Sequence, residues 1–246
     1  MIHTLTAIPV YNEATHVRKV LAEVRKYAGD ILVVNDGSTD GTADLLAGER
    51  DILRIDHPVN RGYGAALVSA FAFALENDYE FLVTMDCDGQ HEPSRIPVLL
   101  EAIHDCDIVS GSRYLRDFRQ DTPAPNDRRS INATITNELN ARYGLGLTDA
   151  FCGFKAYRRE ALAKLNITER GWGMPLQLWV QAARQGLRVK EIGVPRLYLD
   201  PNRAFGGVMN DPAERLAYYR AVLASAEHDV LPVVPQPTAC VCPEFG

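Results

Sequence analysis

No stretch of this chain reaches the ~20 apolar residues that would span a bilayer. The start, Met1-Ile2-His3-Thr4, runs straight into a strand-like segment, so no secretory leader is expected. Positive charge is not in excess. Lys and Arg number 26 against 32 Asp and Glu, for a net charge of −6, with a pI near 5.5. That balance gives no bulk attraction to nucleic acid or to an anionic membrane. Cysteine is sparse and unpatterned, with five in all. Cys87, Cys106 and Cys152 lie in apolar settings and read as small buried hydrophobes. Cys240 and Cys242 form a Cys-x-Cys with no histidine beside it, a weak metal signature. A disulfide framework is excluded, and a reduced, cytoplasmic setting is expected. There is no internal repeat and no domain-scale linker.

What is present fits one globular domain. At 246 residues the chain is near the upper size for a single core. Its 46% hydrophobic and 24% charged content are ordinary for a folded protein. The expected domain covers residues 1–230. The remainder, 231–246, has four prolines in 16 residues and reads as a disordered tail.

Leu5-Thr6-Ala7-Ile8 and Phe81-Leu82-Val83-Thr84 read as strands, the latter buried, and Ile31-Leu32-Val33-Val34 as a parallel strand buried on both faces. Helices are predicted near 14–27, 40–48, 63–77 and 94–104, with further strands near 52–56 and 107–110. Strand–helix alternation of this kind implies an α/β fold with a mostly parallel, doubly wound sheet. The second half is less regular. A proline-containing loop over 113–126 precedes a helix to Tyr143, a strand at 152–158 and a helix at 172–185. Strands near 188–193 and 195–199 and a last helix at 212–229 follow.

Three strands end in polar clusters, and in a doubly wound sheet ligands sit at those carboxyl ends. After the first come Pro9-Val10-Tyr11-Asn12-Glu13. The second closes on Asn35-Asp36-Gly37-Ser38-Thr39-Asp40-Gly41. The third gives Asp86-Cys87-Asp88-Gly89-Gln90-His91. Two carboxylates one residue apart at a strand end suit a hard cation such as Mg²⁺ or Mn²⁺, though Asp-x-Asp also arises by chance. Ser38 and Asp40 have a turn-cap or helix-cap reading as their alternative. Gly62 and Gly64 open a helix, which suits either a bound phosphate or tight packing. Arg113, Arg116, Arg119, Arg128 and Arg129 form a basic stretch diluted by acids, read as a solvated loop or an anion site.

Ile8-Pro9-Val10-Tyr11-Asn12-Glu13, Val33 to Thr42, Asn60-Arg61-Gly62-Tyr63-Gly64 and Met85 to Pro93 together resemble family-2 glycosyltransferases of the GT-A (nucleotide-diphospho-sugar transferase) fold. Gly111-Ser112-Arg113-Tyr114 and Thr148-Asp149-Ala150-Phe151-Cys152-Gly153-Phe154 extend the resemblance towards the polyprenyl-phosphate mannosyl- and glucosyltransferase group. It implies a metal-dependent, inverting transfer from a nucleotide sugar, UDP-sugar favoured over GDP-mannose. Polyprenyl phosphate is the favoured acceptor, which places the enzyme at a membrane surface. A hydroxyl acceptor is the alternative.

The resemblance also implies roles. Pro9, Tyr11, Glu13 and Asp36 hold base and ribose, with Gly62 and Gly64 nearby. Asp86, Asp88 and Gln90 hold Mg²⁺ or Mn²⁺, with Asp86 also on the donor. Arg113 and Arg203 contact phosphate. The chain departs from the family after Arg203-x-x-Gly206, where Gly207-Val208 replaces the usual Ser-Lys. Asp149 is the candidate catalytic base for a hydroxyl acceptor, or an orienting group for a phosphate one. Gln177 and Trp179 fall on a helix expected over the acceptor side. A sugar-1-phosphate nucleotidyltransferase would need a glycine-rich, arginine-containing loop after the first strand, which is absent here. A non-catalytic nucleotide-sugar-binding module is the third reading.

Overall fold

The computed structural model describes residues 3–199 and 205–232. Arg203, the Cys240/Cys242 pair and all but the first two residues of the proline-rich tail lie outside them. The helices are α1 (Val17–Val24), α2 (Thr42–Ala47), α3 (Tyr63–Glu76), α4 (Ile96–Ala102), α5 (Asn126–Tyr143), α6 (Arg159–Leu162), α7 (Met174–Arg184) and α8 (Pro212–Ala226). The strands are β1 (Thr4–Val10), β2 (Asp30–Asn35), β3 (Leu53–Asp56), β4 (Phe81–Thr84), β5 (Ile108–Ser112), β6 (Lys155–Arg158) and β7 (Val189–Gly193).

All seven strands form one sheet in the order β3-β2-β1-β4-β6-β5-β7. The pairings β3-β2, β2-β1, β1-β4 and β5-β7 are parallel. β6 runs antiparallel to both β4 and β5. The sheet is therefore mixed, with its parallel part where the strand–helix alternation is regular.

Both faces are covered, which is why β2 reads as an unbroken apolar run. Leu32 and Val34 pack with α3, α5, α7 and α8 on one side. Ile31 and Val33 pack with α1 and α4 on the other. Successive side chains of a strand point to opposite faces, so only a sheet buried on both sides needs four apolar residues in a row.

The expected strand at 195–199 does not form. This segment instead straps the 113–125 loop through side chains: Arg196 N donates to Asp121 Oδ1 at 2.8 Å and Tyr198 N to Thr122 Oγ1 at 2.7 Å. Hydrogen bonds to Asp and Thr side chains replaced the ladder that its apolar pattern implied.

Candidate active site

β1 lies between β2 and β4, so the chain leaves the sheet in opposite directions on its two sides and opens a crevice at their carboxyl ends. β5 is parallel to these strands, so Arg113 emerges at the same edge. Antiparallel β6 enters the sheet there, bringing residues 149–154 to that edge from the other direction. The result is one cleft of about 880 Å³. Pro9, Tyr11, Glu13, Asp36, Gly62, Asp86, Asp88, Gln90 and Arg113 all line it.

The loops after β1 and β2 are laced together. Asn12 N donates to Ser38 Oγ at 3.0 Å, Thr39 N to Asn12 Oδ1 at 2.8 Å, and Ala14 N to Asp40 Oδ2 at 3.0 Å. Asp40 Oδ1 also accepts from Thr42 N at 3.0 Å at the start of α2. Asp40 is thus a turn cap before α2, whereas Ser38 ties the β1 loop to the β2 loop. Tyr11 is 45% exposed, a free aromatic face at the cleft wall.

Asp36 is 3% exposed. Its Oδ1 meets His57 Nδ1 at 2.6 Å and accepts from Arg61 N at 2.9 Å, and its Oδ2 accepts from Gly62 N at 2.8 Å. The amides of Arg61 and Gly62, just before α3, are thus held by the protein's own carboxylate. Gly64 does not reach the cleft. A Cβ there would stand 2.4 Å from Glu169 O, so close packing with the segment before α7 requires the glycine.

At the end of β4, Asp86 is shaped by residues that sequence reasoning left without a role. Tyr63 Oη donates to Asp86 Oδ1 at 3.1 Å. Burial, and then Asp86, push the Tyr63 phenol well above its ordinary value, so it stays a donor. Asp86 N donates to His91 Nδ1 at 3.0 Å, and the His91 ring stacks on Phe154 at 5.1 Å. Asp88 Oδ1 accepts from Gln90 N at 3.0 Å. The oxygen donors of Asp86, Asp88 and Gln90 fit a hard divalent cation. Among the described residues no group of three or more His, Cys, Asp or Glu side chains could hold a metal. Mg²⁺ is commonly held by one or two carboxylates, with substrate phosphates and water completing its shell.

Asp149 differs most from expectation. It is fully buried and does not line the cleft. Arg113 grips it with Nε at 2.7 Å, Nη2 at 2.9 Å and its backbone N at 3.1 Å. Asn132 Nδ2 adds a bond at 2.7 Å and Phe151 N one at 3.2 Å. Burial alone would raise the carboxyl. The Arg113 guanidinium and these donors reverse that and hold it at about 2. Arg113 Nη1 is left facing Tyr198 Oη at 3.4 Å. Arg128 stands over the rings of Tyr198 and Phe205 at 5.9 and 4.9 Å.

Gln177 and Trp179 lie away from the cleft. Gln177 Oε1 accepts from Thr168 N and Glu169 N, and Trp179 is wholly buried with Nε1 donating to Ala150 O at 2.8 Å. Trp172 does line the cleft, stacked on Tyr63 at 5.2 Å and edge-on to Phe205 at 5.5 Å. The described helices include none long and apolar enough to cross a membrane.

Comparison with known proteins agrees with this geometry. The family model "Glycosyl transferase family 2" matches residues 6–165. The undecaprenyl-phosphate mannosyltransferase of Micrococcus luteus is 33% identical over 218 residues, covering 84% of this chain and 89% of that protein. The polyprenol monophosphomannose synthase of Mycolicibacterium smegmatis is 33% identical over 207 residues, covering 78% and 76%. Among solved structures, glucosyl-3-phosphoglycerate synthase from Mycobacterium tuberculosis, in complex with Mn²⁺, UDP and glucosyl-3-phosphoglycerate, superposes with a TM-score of 0.68 at 19% identity. It covers 91% of this chain and 79% of that one. With its mixed α/β sheet, its cleft at the strand ends and a family model matching most of its length, the chain is a GT-A-fold enzyme that belongs to glycosyl transferase family 2.

Proposed function

We propose that this protein transfers a hexosyl group, with inversion, from a nucleotide sugar to the phosphate of a polyprenyl phosphate at a membrane surface. The observation that carries this reading is the state of Asp149. A general base must offer a lone pair to the acceptor hydroxyl and have a pKa near the working pH. Asp149 is buried, bound by five donors and held at about 2. It is a poor base and a good anchor for Arg113. A phosphate monoester arrives already ionised and needs no base.

In this mechanism Arg113, fixed by Asp149, and Arg128 hold the acceptor phosphate through N–H donors. Its oxygen attacks the anomeric carbon from the face opposite the diphosphate. The sugar–oxygen bond to the diphosphate breaks, and the nucleoside diphosphate leaves with the electron pair. Asp86, Asp88 and Gln90 would hold the Mg²⁺ or Mn²⁺ that offsets charge on that leaving group. Ile131, Phe151, Trp172, Pro175, Phe205 and Tyr219 line the same cleft. An apolar wall beside arginines suits a phosphate carrying a hydrocarbon tail. Both curated relatives named above are polyprenyl-phosphate enzymes by name.

The donor is read as a UDP-sugar. A carboxylate offers about four lone-pair sites. Three on Asp36 are taken, both of those on Oδ1 and one on Oδ2. The one remaining matches the single N–H of uracil and not the paired N–H groups of guanine. Wild-type protein without metal is therefore expected to bind UDP about tenfold tighter than GDP, ~1.4 kcal/mol, and Asp36→Ala to erase the preference. Calorimetric titration of both nucleotides checks this, and equal affinities would move the donor to GDP-mannose. The acceptor is tested by offering one UDP-hexose with polyprenyl phosphate or with a soluble glycan. Transfer to the glycan alone would overturn the lipid-phosphate reading.

A further inference from the structure

Lys155 is the one buried lysine among the described residues, at 2% exposure. It begins β6, paired with Thr84 of β4 and Ser110 of β5, in the middle of the sheet. Its Nζ donates to Cys152 O and stands 5.2 Å from the centroid of the Trp179 ring. Burial pulls its pKa down, while Cys152 and the carboxylates of Asp149 and Asp86 oppose that. A buried cation is costly and persists where it has defined partners.

The partners lie in the turn between the two halves of the cleft. Each of three carbonyls in that turn is held by a side chain from a different element. Trp179 of α7 donates to Ala150 O at 2.8 Å, Lys155 of β6 to Cys152 O, and Thr84 of β4 to Gly153 O at 2.8 Å. Asp86 rests directly on this turn. A Cβ on Gly153 would stand 2.7 Å from Asp86 Oδ2, 2.8 Å from Oδ1 and 2.7 Å from Tyr63 Oη. The Gly153 backbone is thus the floor on which the Asp86 carboxylate and its Tyr63 donor sit. A shift of the turn by a few tenths of an ångström moves the carboxylate.

We propose that Lys155 is a positioning residue that fixes the Ala150–Phe154 turn and so seats Asp86 for its metal. The proposal rests on the reading of Asp86 as a metal ligand. Lys155 touches neither donor nor acceptor and is absent from the cleft wall. Its effect passes through Cys152 O and Gly153. Loss of Lys155 alters metal affinity ahead of nucleotide affinity, because the base and ribose side of the cleft is built by other strands.

The test is Mn²⁺ binding to the UDP-loaded full chain, read from the electron paramagnetic resonance signal of free Mn²⁺, with UDP affinity in chelator as control. Lys155→Met keeps the volume and loses the donor. It is expected to weaken Mn²⁺ at least tenfold while metal-free UDP affinity stays within twofold. Lys155→Arg restores a donor and is expected to return most of that loss. Thr84→Val frees Gly153 O from the neighbouring strand without emptying the core, and is expected to weaken Mn²⁺ several-fold even if Lys155→Met does not fold. Folded Lys155→Met or Thr84→Val with wild-type Mn²⁺ affinity would overturn the proposal. Wild-type protein that binds UDP but no Mn²⁺ would overturn the metal reading, and the proposal with it.

Discussion

Asp88→Asn is expected to lower metal-dependent transfer by ~10³-fold and to leave the melting temperature almost unchanged. Lewis-acid stabilisation of a departing diphosphate is worth several kcal/mol, and ~4 kcal/mol corresponds to that factor. A neutral amide is a poorer ligand for a hard cation than a carboxylate. Asp88 is half-buried, and the backbone bond it accepts from Gln90 N can be accepted equally by an amide oxygen. Steady-state transfer measured across a Mn²⁺ titration checks the expectation. Full turnover at saturating Mn²⁺ would remove Asp88 from the metal site.

Asp149→Asn is expected to act on stability first and on the acceptor second. Every hydrogen-bond partner of this carboxylate among the described residues is a donor: three groups of Arg113, the Asn132 amide and Phe151 N. An Asn amide turns one acceptor into a donor that faces them and leaves the Arg113 charge unpaired. Breaking a buried ion pair from one side costs ~3–5 kcal/mol. At ~2–4 °C per kcal/mol for a domain of this size, the melting temperature should fall by about 10 °C.

The pH dependence has a definite sign. The Asp149 carboxyl is depressed from 3.8 to about 2, so its stabilisation is complete above 3.8 and is lost as pH falls through 2. The mutant should lack that part of the acid transition. Below the melting range, KM for polyprenyl phosphate should rise, because Arg113 is no longer held, while donor hydrolysis persists. A mutant with wild-type stability that loses only kcat, and only on hydroxyl acceptors, would restore Asp149 as a base.

That Asp36, Asp86, Asp88 and Gln90 would meet at one cleft was legible before any fold was known. Asp36, Asp86, Asp88 and Gln90 each follow a short apolar run, and parallel strands buried on both faces announce themselves by such runs. The metal reading needed only that two acids share one strand end. Gly62 and Gly64 show the limit of this reasoning. A glycine-rich helix start is equally a phosphate cradle and a tight crossing. The crossing was visible only once Arg170 O and Glu169 O stood where a Cβ would go. Lys155 left a faint local signal, a charge between Phe154 and Ala156 in a segment that otherwise reads as a buried strand.

The amino-acid sequence by itself determined the β1-α1-β2 pattern, the polar clusters at three strand ends and the pair of acids after β4, because each depends on residues within one turn or one strand of each other. Only the tertiary structure decided what the second half does. β6 enters the sheet antiparallel between β4 and β5, a choice that local periodicity does not encode, since a strand reads the same in either direction. That insertion carries Asp149 to Arg113 across 36 residues, sets Gly153 under Asp86 and buries Lys155 between β4 and β5. Pairing over such distances is fixed by strand register and by the cost of leaving a buried charge unmatched.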